Sequence, residues 1–249
     1  MKPTTLLWCA SLLAASTYLA ACASIVPPTD AEAAQIAQAR TLLASMPDQA
    51  ANTADQLLEE NPELREARLL RAESSLAMAA SGDYSRVIKE LLIDACNDFD
   101  RALGDAENEP YAEQLRQLAE TYYQLGEWEK GSRAAIRSAN GFAQRVGQQN
   151  QKEYARARLV GANCDYRRFV DMRQPEIENG KQDMNGIVPP EQITMALARI
   201  SAAGYAEARL DFPSIATNQT AAIQRWLGQN GEAIRVYERG LITHPSETP

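Results

Sequence analysis

Apolar residues recur at three- and four-residue intervals along nearly the whole chain beyond Asp30, which is the period of an α-helix. Alternating β-branched stretches, which mark half-buried strands, are missing, and aromatic residues make up only 6% of the sequence. Helix-breaking residues interrupt the pattern at short intervals, as at Pro47 and at Asn61–Pro62. The pattern therefore predicts an all-α fold.

These interruptions divide the chain into ten helices, or five helical hairpins. The first helix is predicted to start at a cap formed by Asp30 and to end at Pro47, and the second to end at Asn61. The others are predicted over residues 64–80, 83–104, 110–125, 128–146, 150–172, 190–207, 213–228 and 230–243. One longer interruption, Gln174–Pro190, contains two Asn-Gly pairs and three prolines, and it is predicted to be an irregular loop.

One predicted hairpin has an ordered sequence of large and small residues. Its first helix has a face of large side chains, a glycine closes the turn, and small residues after a tryptophan allow close helix packing: Leu115, Leu118, Ala119, Tyr122, Gly126, Trp128, Gly131, Ala135 and Ser138. This order resembles the tetratricopeptide repeat, most clearly over Tyr122–Trp128, and Gly228–Pro245 is a second match. The resemblance implies a solenoid, in which stacked hairpins bury the faces that one pair cannot cover alone. A plain helical bundle is the alternative.

The N-terminus carries an apolar segment of 13 residues, Leu6–Tyr18, after the basic residue Lys2. As a helix it would reach about 20 Å, which is less than the roughly 30 Å of a bilayer core. The segment therefore predicts an export signal. A transmembrane anchor and an ordinary cleavable signal are the alternatives.

The signal ends in Leu19, Ala20, Ala21 and Cys22, which resembles the lipobox of bacterial lipoproteins. The resemblance implies that residues 1–21 are removed, that Cys22 is lipidated and that residues 22–30 form a tether to a helical domain over residues 31–249. Ser24 is not acidic, so the inner-membrane retention signal of that class is absent. By this resemblance we expect a palmitate-type anchor at the periplasmic face of the outer membrane.

The net charge of the chain limits the classes of partner that it can bind. Lys2 is the only charged residue among the first 21, so the remainder has 24 basic and 33 acidic residues and a formal charge of −9. This surface argues against nucleic acid as a partner, because phosphates require clustered basic residues. A local basic patch remains possible at Arg156, Arg158, Arg167 and Arg168.

Residues suited to catalysis are scarce. The single histidine, His244, lies near the C-terminus, so His-based triads and metal sites are not expected. No glycine-rich phosphate loop follows a strand pattern, and the carboxylates fall at helix ends and on polar faces. We therefore predict a non-enzymatic protein with no catalytic residue, metal or cofactor. A hydrolase with an unrecognised carboxylate site is the least favoured alternative.

Two cysteines, Cys96 and Cys164, would remain in an oxidising compartment. A disulfide between them would require Cα atoms within about 7 Å, and they lie on separate predicted hairpins. We prefer two buried thiols that act as small core residues.

The repeat resemblance also implies an interaction surface on the first helix of each hairpin. In the central repeat the ligand-facing positions are Glu113, Arg116, Glu120, Tyr123 and Gln124, and in the last they are Gln219, Ala222, Arg225 and Trp226. Tyr, Trp and Arg dominate binding hot spots, although Tyr123 and Trp226 could instead pack between helices. The leading hypothesis is a scaffold on which a concave face holds a protein partner in envelope assembly, secretion or cell-wall machinery. The alternative is a small-molecule-binding lipoprotein of a solute uptake system.

Overall fold

The computed structural model describes residues 27–81 and 85–243. In this part of the chain there are ten helices and no strand, which confirms the predicted all-α fold. The helices are α1 (Asp30–Arg40), α2 (Pro47–Glu60), α3 (Arg65–Ser81), α4 (Ser85–Leu103), α5 (Ala112–Leu125), α6 (Trp128–Ala143), α7 (Gln148–Asn179), α8 (Gln192–Ala208), α9 (Pro213–Trp226) and α10 (Asn230–Thr243). Leu19, Ala20, Ala21, Cys22 and His244 lie outside the described residues.

Each helix packs against the next one in the chain, as expected for a series of hairpins. The odd-numbered helices also contact one another, since α1 packs on α3, α5 on α7 and α7 on α9. Arg40 of α1, for example, forms ion pairs with Glu66 at 3.1 Å and Glu73 at 3.4 Å on α3. The arrangement is consistent with stacked helical repeats. We call the surface formed by the odd-numbered helices the odd-helix face.

Two hydrophobic clusters form most of the core. The first joins α3 to α6 around Phe99, Leu115 and Tyr122, and the second joins α7 to α9 around Phe169 and Tyr205. Helix α7 contributes to both, because Val160 packs against the first cluster and its neighbour Leu159 belongs to the second. This helix therefore connects the two halves of the domain.

The irregular segment is shorter than the predicted loop Gln174–Pro190, because α7 continues through Pro175 to Asn179. An internal proline usually costs a helix about 3 kcal/mol. Here the cost is offset by Arg173, whose side chain is 1% exposed and donates hydrogen bonds to the carbonyl oxygens of Trp226 at 3.0 Å and Val188 at 2.5 Å. Its guanidinium also pairs with Glu176 at 3.0 Å. The last turns of α7 are thus fixed to α9 and to the segment 180–191.

The helices approach closely where glycines face a neighbouring backbone. A Cβ atom added to Gly141 would lie 2.4 Å from the carbonyl oxygen of Asn108 and 2.9 Å from the Cβ of Ala112. One added to Gly204 would lie 2.8 Å from the Cβ of Ala162. All three distances are shorter than van der Waals contact, so only glycine allows this packing.

The two cysteines are free and buried, as we preferred on sequence grounds. Burial raises the pKa of both the Cys96 and Cys164 thiols to about 12. Such thiols stay protonated near neutral pH and behave as small apolar residues. Cys164 lies in the α6–α7 contact, where a Cβ on Gly131 would be only 2.7 Å from its sulfur atom.

We predict that Gly141→Ala destabilises the protein by about 1–3 kcal/mol, because the new methyl group would collide with backbone atoms that cannot move aside independently. Urea denaturation followed by circular dichroism would measure the free energy of unfolding. Gly231→Ala in α10 is the matched control, since no atom lies within 4 Å of its added Cβ. Equal unfolding free energies for the two variants would contradict the proposed packing constraint.

Candidate interaction surface

Arg116, one of the predicted ligand-facing residues, is buried between α5 and α7, with a side chain that is 7% exposed. Its guanidinium pairs with Glu113 and, at 2.5 Å, with Glu120 on its own helix. It also lies 3.5 Å from Glu153 on α7. Arg116 therefore joins two helices of the odd-helix face and offers little surface to a ligand.

The electrostatics around Arg116 favour its charged form. Burial alone would lower the pKa of this guanidinium, but the hydrogen bond to Glu113 and the charges of Glu120 and Glu113 outweigh that effect and raise it. Arg156 of α7 adds a second positive charge, 3.5 Å from Glu120. Two arginines thus face three carboxylates, and the group carries a formal charge of −1.

Tyr123 lies about two turns further along α5 and belongs to a group that we call the Tyr123 cluster: Tyr123, Trp128, Arg167 and Asp171. The rings of Tyr123 and Trp128 are tilted by 56° with centroids 5.2 Å apart. Arg167 of α7 donates a hydrogen bond from Nε to the Tyr123 hydroxyl oxygen at 3.4 Å. The Trp128 indole N–H donates to the Asp171 carboxylate at 3.0 Å.

The Tyr123 cluster combines fixed aromatic rings with an accessible cation. Both rings are half-buried, whereas Arg167 is exposed. The hydrogen bond to Tyr123 raises the pKa of Arg167, so its guanidinium is charged at every physiological pH. Among the described residues, Arg167 forms no ion pair within 4 Å. The cluster can therefore accept a carboxylate on Arg167 and apolar surface on the two rings.

The turn after α5 places Trp128 next to Tyr123. Gly126 ends α5 in the left-handed conformation, with φ of 81°, and α6 begins two residues later at Trp128. Residues with a Cβ atom are destabilised in this conformation, so the turn favours glycine at position 126. Gln124, another predicted ligand-facing residue, is exposed beside Tyr123.

The four arginines predicted as a basic patch on α7 are divided among different surfaces. Arg156 and Arg167 face α5, as described above. Arg158 points to α8, where it pairs with Glu207 at 2.6 Å. Arg168 pairs with Asp165 at 3.4 Å and lies 3.9 Å from Glu129 of α6. The patch is therefore not one continuous cationic surface.

The predicted residues of the last repeat, on α9, do not form a comparable cluster. Trp226 is half-buried and packs against the second core cluster, and its main-chain carbonyl oxygen accepts a hydrogen bond from Arg173. Arg225 is exposed, while Gln219 and Ala222 are half-buried. Only Arg225 among them presents a charged group to solvent.

Sequence reasoning did not include Arg167, Trp128 and Asp171 in the site. The sequence patterns assign Trp128 to the repeat motif and Arg167 to a basic run, and neither assignment predicts a contact with the other members of the cluster. The contacts of Trp128 with Asp171 and of Tyr123 with Arg167 join residues that are 43 and 44 positions apart. No local signal in the sequence indicates pairings at that separation.

Within residues 27–81 and 85–243, no three side chains of His, Cys, Asp or Glu are placed to hold a metal ion. None of the helices in these ranges is long and apolar enough to cross a membrane. No protein-family model and no curated protein matches this chain.

We predict that Arg116→Met lowers the free energy of unfolding by about 1–3 kcal/mol, because it removes the charged hydrogen-bond partner of half-buried carboxylates. Arg167→Met should change it by no more than about 0.5 kcal/mol, since this side chain is exposed. Chemical denaturation of the two variants measures the difference. If Arg116→Met were as stable as Arg167→Met, the structural role of Arg116 would be refuted.

Proposed function

We propose that this protein is a lipid-anchored, non-enzymatic helical-repeat scaffold that holds a protein partner in the periplasm. The partner binds the odd-helix face at the Tyr123 cluster. The observation that carries the proposal is the combination, beside this face, of two fixed aromatic rings and an exposed guanidinium that has no ion pair within 4 Å among the described residues.

The composition of the cluster supports a protein ligand. Tyr, Trp and Arg are the side chains most enriched among residues that dominate protein–protein binding energy. Here Trp128 and Arg167 restrain Tyr123, while Asp171 restrains Trp128. Side chains that are ordered before binding lose less conformational entropy when the partner arrives. The cluster thus has both the residue types and the preorganisation of a binding hot spot.

The charges at the cluster specify the partner segment. Arg167 has no carboxylate within 4 Å in the described part of the chain, and Arg156 is exposed on the same side of α7. A segment with an acidic residue next to an apolar one would satisfy the guanidinium and cover the rings. Arg116 supports this surface from within, because it joins α5 to α7.

The repeat family and the membrane anchor are parts of the same proposal. The hairpin arrangement, the left-handed Gly126 and the close glycine contacts support a tetratricopeptide-like array. The lipobox-like sequence supports lipidation: Leu19, Ala20, Ala21 and Cys22. The non-acidic Ser24 supports attachment to the outer membrane. A tether over residues 22–30 would keep the odd-helix face within reach of partners at that membrane.

Feeding cells an alkyne analogue of palmitate tests the anchor. We expect label on the wild-type protein and at least a tenfold loss in Cys22→Ala, because the thiol is the acyl acceptor. Click chemistry on the purified protein measures the label. Equal labelling of Cys22→Ala would refute lipidation at this residue.

In-cell photo-crosslinking tests partner binding. With a photoreactive residue at Gln124, we expect one protein to be crosslinked, and Tyr123→Ala combined with Arg167→Met should reduce its yield at least tenfold. Mass spectrometry of the crosslinked band identifies and quantifies the partner.

The matched control is Arg133→Met, which removes an exposed arginine from α6, outside the odd-helix face. It should leave the crosslink unchanged. A crosslink that survives loss of both Tyr123 and Arg167 would exclude the cluster as the binding site.

A further inference from the structure

The last described helix, α10, is apolar on two adjoining sides. Ala233 and Gly240 are buried, and α10 packs against α9. Ile234, Tyr237 and Leu241 are spaced by three and four residues and form a second stripe next to that contact. Their exposed fractions are 58%, 37% and 51%. The second stripe therefore adjoins the packed side of the helix and is open to solvent.

An exposed apolar stripe of this kind on an otherwise polar protein indicates an interaction site. Among residues 27–81 and 85–243, no helix other than α9 makes substantial contact with α10. The stripe is therefore suited to receive a helix that packs beside α10.

The charges of α10 indicate which partner helix can pack against it. Two glutamates and two arginines give this helix no net charge: Glu232, Arg235, Glu238 and Arg239. The wider segment Gln192–Thr243 has five arginines and four acidic residues and is thus at +1, whereas the whole chain is at −8. Two copies can therefore approach through this end without the like-charge repulsion that other surfaces would impose.

The charged residues of α10 are self-complementary when two copies of the helix pack in antiparallel orientation. Arg235 and Glu238 lie at the same edge of the stripe, on either side of Tyr237 along the chain. In an antiparallel pair with a two-fold axis near Tyr237, Arg235 would lie opposite the partner's Glu238, and Glu238 opposite the partner's Arg235. Arg235 pairs with Glu232 in its own chain but remains largely exposed, so it can reach across.

We propose that two copies of this chain associate through α10, in antiparallel orientation, with Ile234, Tyr237 and Leu241 at the interface. A lipid surface is the competing occupant, but a helix without net charge offers no attraction to anionic head groups. The proposal does not depend on the Tyr123 cluster, which lies on α5 to α7.

Cysteine crosslinking of the purified full chain in detergent tests the pairing. Because a residue beside a two-fold axis meets its own copy, Tyr237→Cys should form a disulfide-linked dimer under mild oxidation, visible on a non-reducing gel. Ile136→Cys on α6, a position with 42% exposure, should not. If Tyr237→Cys misfolds, Leu241→Asp serves as the second variant, because a charge in the apolar stripe should raise the dimer dissociation constant at least tenfold.

A charge exchange tests the orientation. Arg235→Glu should raise the dimer dissociation constant about tenfold, since it places two acidic residues opposite each other. Adding Glu238→Arg to that variant should restore the wild-type value, as measured by analytical ultracentrifugation. If the double variant has the same dimer dissociation constant as Arg235→Glu alone, the antiparallel pairing is overturned. Absence of the Tyr237→Cys crosslink together with a wild-type chain that sediments as a monomer, or vesicle binding in place of dimerisation, would overturn the proposal itself.

Discussion

The architecture depends on how closely the helices pack where small residues meet. At the α6–α7 contact, Gly131 faces Cys164, and at the α7–α8 contact Gly204 faces Ala162. Gly141 holds α6 against the backbone of Asn108, before α5. These three contacts fix the distances between α5, α6, α7 and α8. The side chains of α5 and α7 that make up the candidate surface meet only because those distances are short.

Charged residues then determine how α7 is fixed along its length. Near its N-terminal end, Glu153 meets the buried Arg116 of α5. Near its C-terminal end, Arg173 binds two backbone carbonyls and Glu176. Buried ion pairs seldom add net stability, because desolvation offsets their attraction, but removal of one partner is costly. Their role here is to select one register of α7 relative to its neighbours, and that register places Arg167 beside Tyr123.

The parts of the fold that follow from local chemistry were predictable from the sequence. The helix period gave ten helices, and the glycine at 126 indicated the turn that ends α5. The extent of α7 was not predictable, because the break expected near Pro175 is overridden by Arg173 contacts with residues 15 and 53 positions away. Arg116 illustrates the same limit at the candidate surface. The repeat resemblance implies that Arg116 faces a ligand, whereas in the structure it is buried and lies 3.5 Å from Glu153 of α7, 37 positions further along the chain.

The length of α7 affects how the domain loses its structure. In an array of separate hairpins, unfolding can begin at any junction, because each unit contacts only its neighbours. Helix α7 has 32 residues, about 48 Å, and it contributes to both large core clusters. The central helices therefore unfold as one cooperative unit, while α1 and α2, which rest on two small clusters around Ile36 and Ala39, can open separately. The N-terminal hairpin is thus the part of the described domain that opens at the lowest free-energy cost.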